Sequence, residues 1–345
     1  MSIQSCRSFI LGSRLENVVA FTVSLALTIL FLTTRLFHDF NLGMHDFIFI
    51  LLPAGVLAFK AVLGLLLARP AGSEESDPGK FLSQFVAPFW KIFRDWFPFL
   101  LLSACYFSLY SNLMLRVNPH TADAFLAGID ARIFGAQPSL ALQPFIHPWL
   151  TDFMSVVYFS FVLYFPGVAL WLYLRKEHQA FRRLMMGYLT LILLGVISYL
   201  AVPAVGPETF FASSYTSDLH GQAMSHGVEF IMKNARVGHD CFPSLHVGIP
   251  LLLALYLRDF KRKLFIPAVV YVGLMCGATI YLRYHYVVDV AAAFIYAPVA
   301  YRLNNFVLSR WPGERAAGAA AIGTKSEDAG TASPGGLPVP AGSCA

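Results

Sequence analysis

The sequence predicts an all-α fold, a polytopic integral membrane helical bundle, and three observations lead there. Hydrophobic residues make up 57% of the 345-residue chain against 13% charged, with a mean hydropathy of +0.61, which excludes a soluble domain of this size. Several uninterrupted apolar stretches reach the roughly 20 helical residues needed to cross a hydrocarbon layer of about 30 Å. These stretches lack the period-two alternation of a membrane barrel. Backbone amides in lipid must then be satisfied within each segment, so the crossings are helices.

In chain order, about eight spans are expected, near residues 17–37, 46–68, 97–115, 151–174, 183–202, 243–257, 264–281 and 286–307. The first is long, lacks a small-residue cleavage site and is followed by further spans, so it reads as an anchor. Ala71 to Lys80, with Gly72, Ser73, Glu74, Glu75, Ser76, Asp77 and Pro78, reads as a solvated loop. Phe81, Phe85, Phe89, Phe93 and Phe97 then recur at helical spacing beside Trp90 and Trp96, while Lys91 and Arg94 suit an anionic leaflet. That is the pattern of a helix lying in the membrane interface. A second surface helix is expected where Phe125, Leu126, Ile129 and Ile133 form an apolar stripe opposite Asp123, Asp130 and Arg132, ending at a Gly135 to Pro138 turn. Either helix can simply anchor its neighbouring spans, and the second can also roof a site. After about Trp311 the chain turns to Ala, Gly, Ser and Pro, too poor in large apolar side chains to offset chain entropy. Three regions follow: N-terminal spans with the interfacial helix over 1–120, a membrane domain carrying the chemistry over 121–310, and a disordered cytoplasmic tail over 311–345. No internal repeat is visible.

Basic residues set the orientation, because short loops rich in Lys and Arg stay on the cytoplasmic side. Arg7 and Arg14 precede the first span; Arg69, Lys80, Lys91 and Arg94 follow the second; Arg175, Lys176, Arg182 and Arg183 follow the fourth. Arg258, Lys261, Arg262 and Lys263 follow the sixth, and Arg302, Arg310, Arg315 and Lys325 follow the eighth. Intervening loops carry fewer: Arg35, Arg116, Arg132, Lys233, Arg236 and Arg283. Both termini are therefore expected in the cytoplasm.

The chemistry concentrates in two fragments on the opposite, outer surface. Phe242-Pro243-Ser244-Leu245-His246 supplies an imidazole at a loop-to-helix junction, with Ser244 a natural cap whose neighbouring amides can hold a phosphate oxygen. Tyr284-His285-Tyr286-Val287-Val288-Asp289 places an imidazole and a carboxylate at i and i+4, stacked on one face if helical, so that Asp289 orients His285. Two histidines with one orienting carboxylate are the parts needed to attack a phosphorus and protonate what leaves. The blander reading is that a lone His-x-x-x-Asp reflects a buried hydrogen bond, and the second His motif on the same side argues against it. His239 and Asp240 can join His246, His285 and Asp289 as metal donors, a less favoured set. Glu208, Glu229, His220 and His226 read as solvated loop residues, and Arg283 can snorkel to the interface. Cys6, Cys105, Cys241, Cys276 and Cys344 form no metal-type pair and no disulfide framework, and Cys241 reads as packing beside the site.

Pro-Ser-Leu-His followed by His-Tyr-x-x-Asp resembles the type 2 phosphatidic acid phosphatase (PAP2) superfamily. Val202-Pro203-Ala204-Val205-Gly206-Pro207, Phe242 to His246, Tyr281 to Asp289, and Gly128-Ile129-Asp130 through Phe134-Gly135 are similar to the inositol phosphorylceramide synthase branch and its bacterial relatives, over roughly residues 120 to 300. The resemblance implies a six-helix core, no metal or other cofactor, and a bacterial inner or plasma membrane location. It also implies His285 as the nucleophile forming a phosphohistidine, Asp289 as its orienting partner and His246 as the acid. The residue reading agrees, since His285 with its carboxylate keeps one nitrogen's lone pair free. Pro243, Ser244, Arg283 and Arg236 are the candidate substrate-binding residues. Phosphomonoesterases of the family carry Lys and Arg in the first motif, Gly before the second His, and Ser-Arg before the third. Here Val202 to Pro207 has no basic residue, Leu245 replaces the Gly, and Ala278-Thr279 replace Ser-Arg. A depleted clamp suits a singly charged diester better than a doubly charged monoester. The reading is a lipid phosphotransferase moving a phospho-head group from a glycerophospholipid to a lipid alcohol. A lipid phosphate phosphatase, with water as acceptor, is the alternative. A lipid transporter is the third class, and it would call for inverted repeats that are not visible. The partners expected are membrane lipids and no nucleic acid, and the sequence specifies no oligomeric state.

Overall fold

Helices joined by turns and short loops make up most of the described part of the computed structural model, which describes Thr22 and residues 91–100, 102, 103, 118, 120–222, 225, 227, 228 and 238–310. In chain order the helices are α1 (Asp123–Phe134), α2 (Pro138–Ala141), α3 (Pro148–Leu174), α4 (His178–Ala201), α5 (Pro207–Phe210), α6 (Leu245–Phe260), α7 (Phe265–Tyr281) and α8 (Val287–Arg310). Among the described residues there is no strand, and an isolated bridge joins Ala204 to Asp240. The described residues up to Asn305 share one compact unit, and Phe306 to Arg310 fall to another. The all-α membrane expectation holds. Pro148–Leu174, His178–Ala201 and Arg262–Tyr281 are each long and apolar enough to cross a membrane. Apart from Thr22, the expected spans 17–37 and 46–68, most of 97–115, the loop Ala71 to Lys80 and the tail from Trp311 lie outside the described residues. So does the first part of the interfacial helix; residues 91–100 of it are helical, with Trp96 buried and Phe93 exposed.

Local sequence explains where these helices begin and end. Proline opens α2, α3 and α5, where its missing N–H costs nothing. Gly135 closes α1 with a left-handed φ of 72°. The α3–α4 turn is a Schellman motif without glycine: Lys176 sits at φ 61°, its N–H bonds the Tyr173 carbonyl, and the Glu177 N–H bonds that of Leu172. Lys261 Nζ lies 2.6 Å from Glu177 Oε1, so the α3–α4 and α6–α7 turns share one end of the bundle. That end carries Arg175, Lys176, Arg258, Lys261, Arg262 and Lys263.

α6 is the central element. Val247, Leu252, Leu253 and Ala254 are at most 1% exposed, and the helix packs against α3, α4 and α7. Close approach to α4 depends on two glycines: a Cβ at Gly187 would lie 2.5 Å from Tyr256 Oη, and one at Gly195 would lie 2.8 Å from Leu245 Cδ1. Phe153 and Leu163 on α3, Val269 and Val270 on α7, and Ile295 on α8 face outward, as a lipid-facing belt requires. At 16 residues α6 is about 24 Å long, shorter than the 27-residue α3 that it packs against.

α1 buries its two carboxylates together with Leu126 of the apolar stripe, while the rest of the stripe stays more open. Asp123 and Asp130 are 0% and 1% exposed, whereas Phe125 and Ile133 are 67% and 66% exposed. The carboxylates point inward because buried backbone donors are waiting there, and a membrane protein's surroundings can accommodate the apolar stripe.

Candidate active site

His285 is delivered by the end of α7. The helix closes with a second Schellman motif, in which the Arg283 N–H bonds the Ile280 carbonyl and the Tyr284 N–H bonds that of Thr279. Arg283 occupies the left-handed position at φ 67°, normally a glycine site. The chain leaves this turn through His285, whose own N–H reaches the Thr279 carbonyl, and α8 starts at Val287. His285 therefore precedes the helix, which corrects the expectation of two side chains stacked on one helical face. Asp289, in the first turn of α8, instead reaches back. Its Oδ2 accepts the Tyr286 backbone N–H at 2.9 Å, the carboxylate half of a capping box, and lies 3.5 Å from His285 Nδ1.

α6 brings the second imidazole to this turn. The Ser244 backbone N–H bonds the Asp289 carbonyl at 3.1 Å, tying the start of α6 to the start of α8. His246, in the first turn of α6, then presents Nδ1 to His285 Nε2 at 3.2 Å. The other nitrogen, Nε2, lies 2.9 Å from the Tyr158 hydroxyl of α3, and Phe161 packs on the same imidazole at 4.6 Å between centroids. His285 is 4% exposed and Asp289 is fully buried. Ser244 caps with its backbone only: its hydroxyl makes no capping bond, and this buried Oγ has no hydrogen-bond partner. The expected side-chain cap is thus absent, and the Ser244 hydroxyl stays buried at the start of α6, two residues before His246.

The surrounding loops are held by carboxylates. Asp123 accepts the backbone N–H groups of Val205 and Gly206, both at 3.0 Å, and the Tyr286 hydroxyl at 2.9 Å. Asp130 accepts the N–H groups of Val287 and Val288 at 2.7 and 2.9 Å, so it occupies the free amides at the start of α8. Burial pushes the Asp130 carboxyl up, and the two amides oppose that shift. Gly206 has φ 86°, and a Cβ there would lie 2.7 Å from the Tyr284 carbonyl oxygen, so only glycine lets the 202–207 turn close over the motif. Arg283 is 6% exposed and directed elsewhere. Its guanidinium donates to the Ser217 carbonyl at 2.6 Å and lies over the Tyr215 ring at 3.8 Å. Burial lowers its pKa from the ordinary arginine value, against the pull of Tyr215, Asp218 and Glu208.

The metal-type donors that meet here differ from the expected set. Among the described residues, Cys241 Sγ, His285 Nδ1 and Asp289 Oδ2 lie within 4.8 Å of one another. His239, Asp240 and His246 are not among these three donors. Protons hold the trio together, since the Cys241 thiol donates to Asp289 Oδ2 at 2.9 Å. Burial, with Asp289 alongside, pushes that thiol well above the usual range, so it remains a donor.

An imidazole backed by a carboxylate, facing a second imidazole across a hydrogen-bond distance, can supply a nucleophile and an acid to one atom placed between them. A family model described as PAP2 superfamily matches residues 125–303. The chain belongs to the PAP2 superfamily. No curated protein and no solved structure matches it. The PAP2 superfamily is one of lipid phosphatases and phosphotransferases, so this is a membrane enzyme of the phosphatase and phosphotransferase class.

Within this PAP2 domain the structure brings His246, His285, Asp289 and Ser244 together, with buried Pro243 beside them. It turns Arg283 toward Ser217, and Arg236 lies outside the described residues. Sequence reasoning missed Tyr158, the capping roles of Asp123 and Asp130, and the thiol of Cys241. The Asp130 signal was present in the Gly128-Ile129-Asp130 fragment. Tyr158 carried none, because it lies 88 residues from His246.

Proposed function

We propose that the protein is a lipid phosphotransferase of the inositol phosphorylceramide synthase type, moving a phospho-head group from a glycerophospholipid to a lipid alcohol through a phosphohistidine. His285 Nε2 attacks phosphorus, Asp289 holds Nδ1–H so that the Nε2 lone pair stays free, and His246 protonates the departing glycerol oxygen. The observation that carries this reading is the 3.2 Å approach of His246 Nδ1 to His285 Nε2, with Asp289 behind the second ring. A phosphoryl group entering between the two nitrogens would meet the nucleophile on one side and the acid on the other. Ser244 Oγ, buried and unpartnered, and the adjoining Pro243 turn form the floor for a phosphate oxygen.

A diester is favoured over a monoester on charge. The first motif, Val202 to Pro207, lacks a cation, and Arg283 spends its guanidinium on Ser217 and Tyr215. One negative charge needs less compensation than two. The site is proposed to face away from the cytoplasm, with both termini inside, because the opposite end of the bundle gathers the basic turns.

The test supplies purified protein in lipid with phosphatidylinositol and ceramide, or with phosphatidic acid. A new head-grouped lipid supports transfer, and free phosphate without transfer reverses the assignment to phosphatase. His285→Ala is expected to remove both acid-labile phosphoenzyme and turnover, the latter by several orders of magnitude. Retained turnover would defeat the phosphohistidine route.

A further inference from the structure

Tyr158 belongs to neither sequence motif, yet it touches His246 in two ways. Its hydroxyl lies 2.9 Å from His246 Nε2, and its ring stacks on the imidazole with centroids 4.6 Å apart and planes 26° from parallel. Tyr158 is 4% exposed and packs among Val247, Ala278 and Tyr281, with the Tyr284 ring 4.6 Å away. Its hydroxyl is therefore held in place. Which nitrogen of a histidine does chemistry is decided by what the other one is bonded to. In His246, Nδ1 faces His285 and Nε2 faces Tyr158.

We infer that Tyr158 is the positioning residue that dedicates His246 Nδ1 to proton transfer, by holding Nε2–H through both halves of the reaction. This rests on the phosphotransfer reading above. In the first half, cationic His246 donates Nε2–H to the Tyr158 oxygen. Its Nδ1 proton passes to the leaving glycerol oxygen as the P–O bond breaks and the His285 Nε2–P bond forms. His246 is then neutral, with its remaining proton still on Nε2 and a lone pair on Nδ1. In the second half that lone pair takes the proton of the acceptor hydroxyl, whose oxygen bonds phosphorus as the N–P bond breaks. The imidazolium and the free Nε2 of His285 are both restored. One atom serves as acid and then as base. Without the tyrosine hydroxyl, the neutral ring can place its proton on either nitrogen, and the cationic ring has a partly buried N–H that has lost this acceptor.

Tyr158→Phe keeps the ring and its stacking while deleting the hydroxyl. Two donors are compared: a glycerophospholipid, whose alkoxide must be protonated as it leaves, and the nitrophenyl ester of the same phospho-head group, whose leaving group needs no proton. With the lipid, kcat is expected to fall about 10- to 100-fold, a share of what general acid–base catalysis supplies. The first-turnover burst of nitrophenol is expected to fall by less than about 3-fold, since that step bypasses the acid. Phe161→Leu, a packing change against the same imidazole, should lower both donors alike. Equal losses in Tyr158→Phe, or no loss with the lipid, overturn the inference. Wild-type protein that turns over neither donor brings down the phosphotransfer reading and this inference together. Wild-type turnover that is lost in His246→Ala, but shows no difference between donors in Tyr158→Phe, brings down this inference alone.

Discussion

Asp289 Oδ2 is engaged from three sides, accepting from the Tyr286 N–H and the Cys241 thiol while facing His285 Nδ1. Three approaches to one oxygen fix the carboxylate more firmly than a single His contact at 3.5 Å would. The thiol contributes only while protonated. For an acid, a raised pKa means that deprotonation is postponed to higher pH, and burial beside Asp289 moves Cys241 in that direction. Native protein at neutral pH is therefore expected to resist thiolate-directed alkylation at Cys241. Labelling should grow only as pH rises beyond the ordinary thiol range or after denaturation, read by mass spectrometry of the peptide containing residue 241. Rapid native labelling at neutral pH would contradict the donor role. None of this was legible in the sequence, where Cys241 is a lone cysteine next to Phe242. The thiol acquires its partner only because the start of α6 is tied to the start of α8.

At the scale of elements, α1 is a brace for the turn that carries His285. Asp130 satisfies two free amides of α8, and Asp123 satisfies two amides of the 202–207 turn together with the Tyr286 hydroxyl. Replacing a capping carboxylate by alanine costs about 1–2 kcal/mol, so Asp130→Ala is expected to lower the thermal midpoint by several degrees in detergent. Asp123→Ala, which releases three donors, should lower it further. Arg132→Ala, on an exposed position of the same helix, is expected to have little effect. An unchanged midpoint in Asp130→Ala would show that water caps α8 equally well. The existence of α1 and its Gly135 stop were legible from spacing and turn chemistry. Which face turns inward was not. The usual rule assigns the apolar stripe to the core, whereas in a membrane protein lipid offers that stripe a second apolar environment, and the carboxylates go where unsatisfied amides are.

For the whole molecule, the decisive relation is between the charged end of the bundle and the histidine end. Chain direction puts the start of α6, the end of α7 and the start of α8 together at the site, and the Lys261–Glu177 pair joins the two basic turns at the other end. If the proposed orientation holds, a single cysteine introduced at Thr216, in the loop at the histidine end, should react with an impermeant maleimide on intact cells, whereas one at Lys263 should react only after permeabilisation. The reverse pattern would invert the proposed orientation. The sequence by itself determined the membrane class, the helical composition, the alternation of basic loops and the two histidine motifs, because hydrophobic length, loop charge and short spacings are local properties. Only the tertiary structure decided that His285 stands ahead of its helix, that Arg283 turns to Ser217, and that Tyr158 and Cys241 reach the two imidazoles. Those contacts join segments far apart in the chain, and their partners are selected by how α3, α6, α7 and α8 pack rather than by any residue's neighbours in sequence.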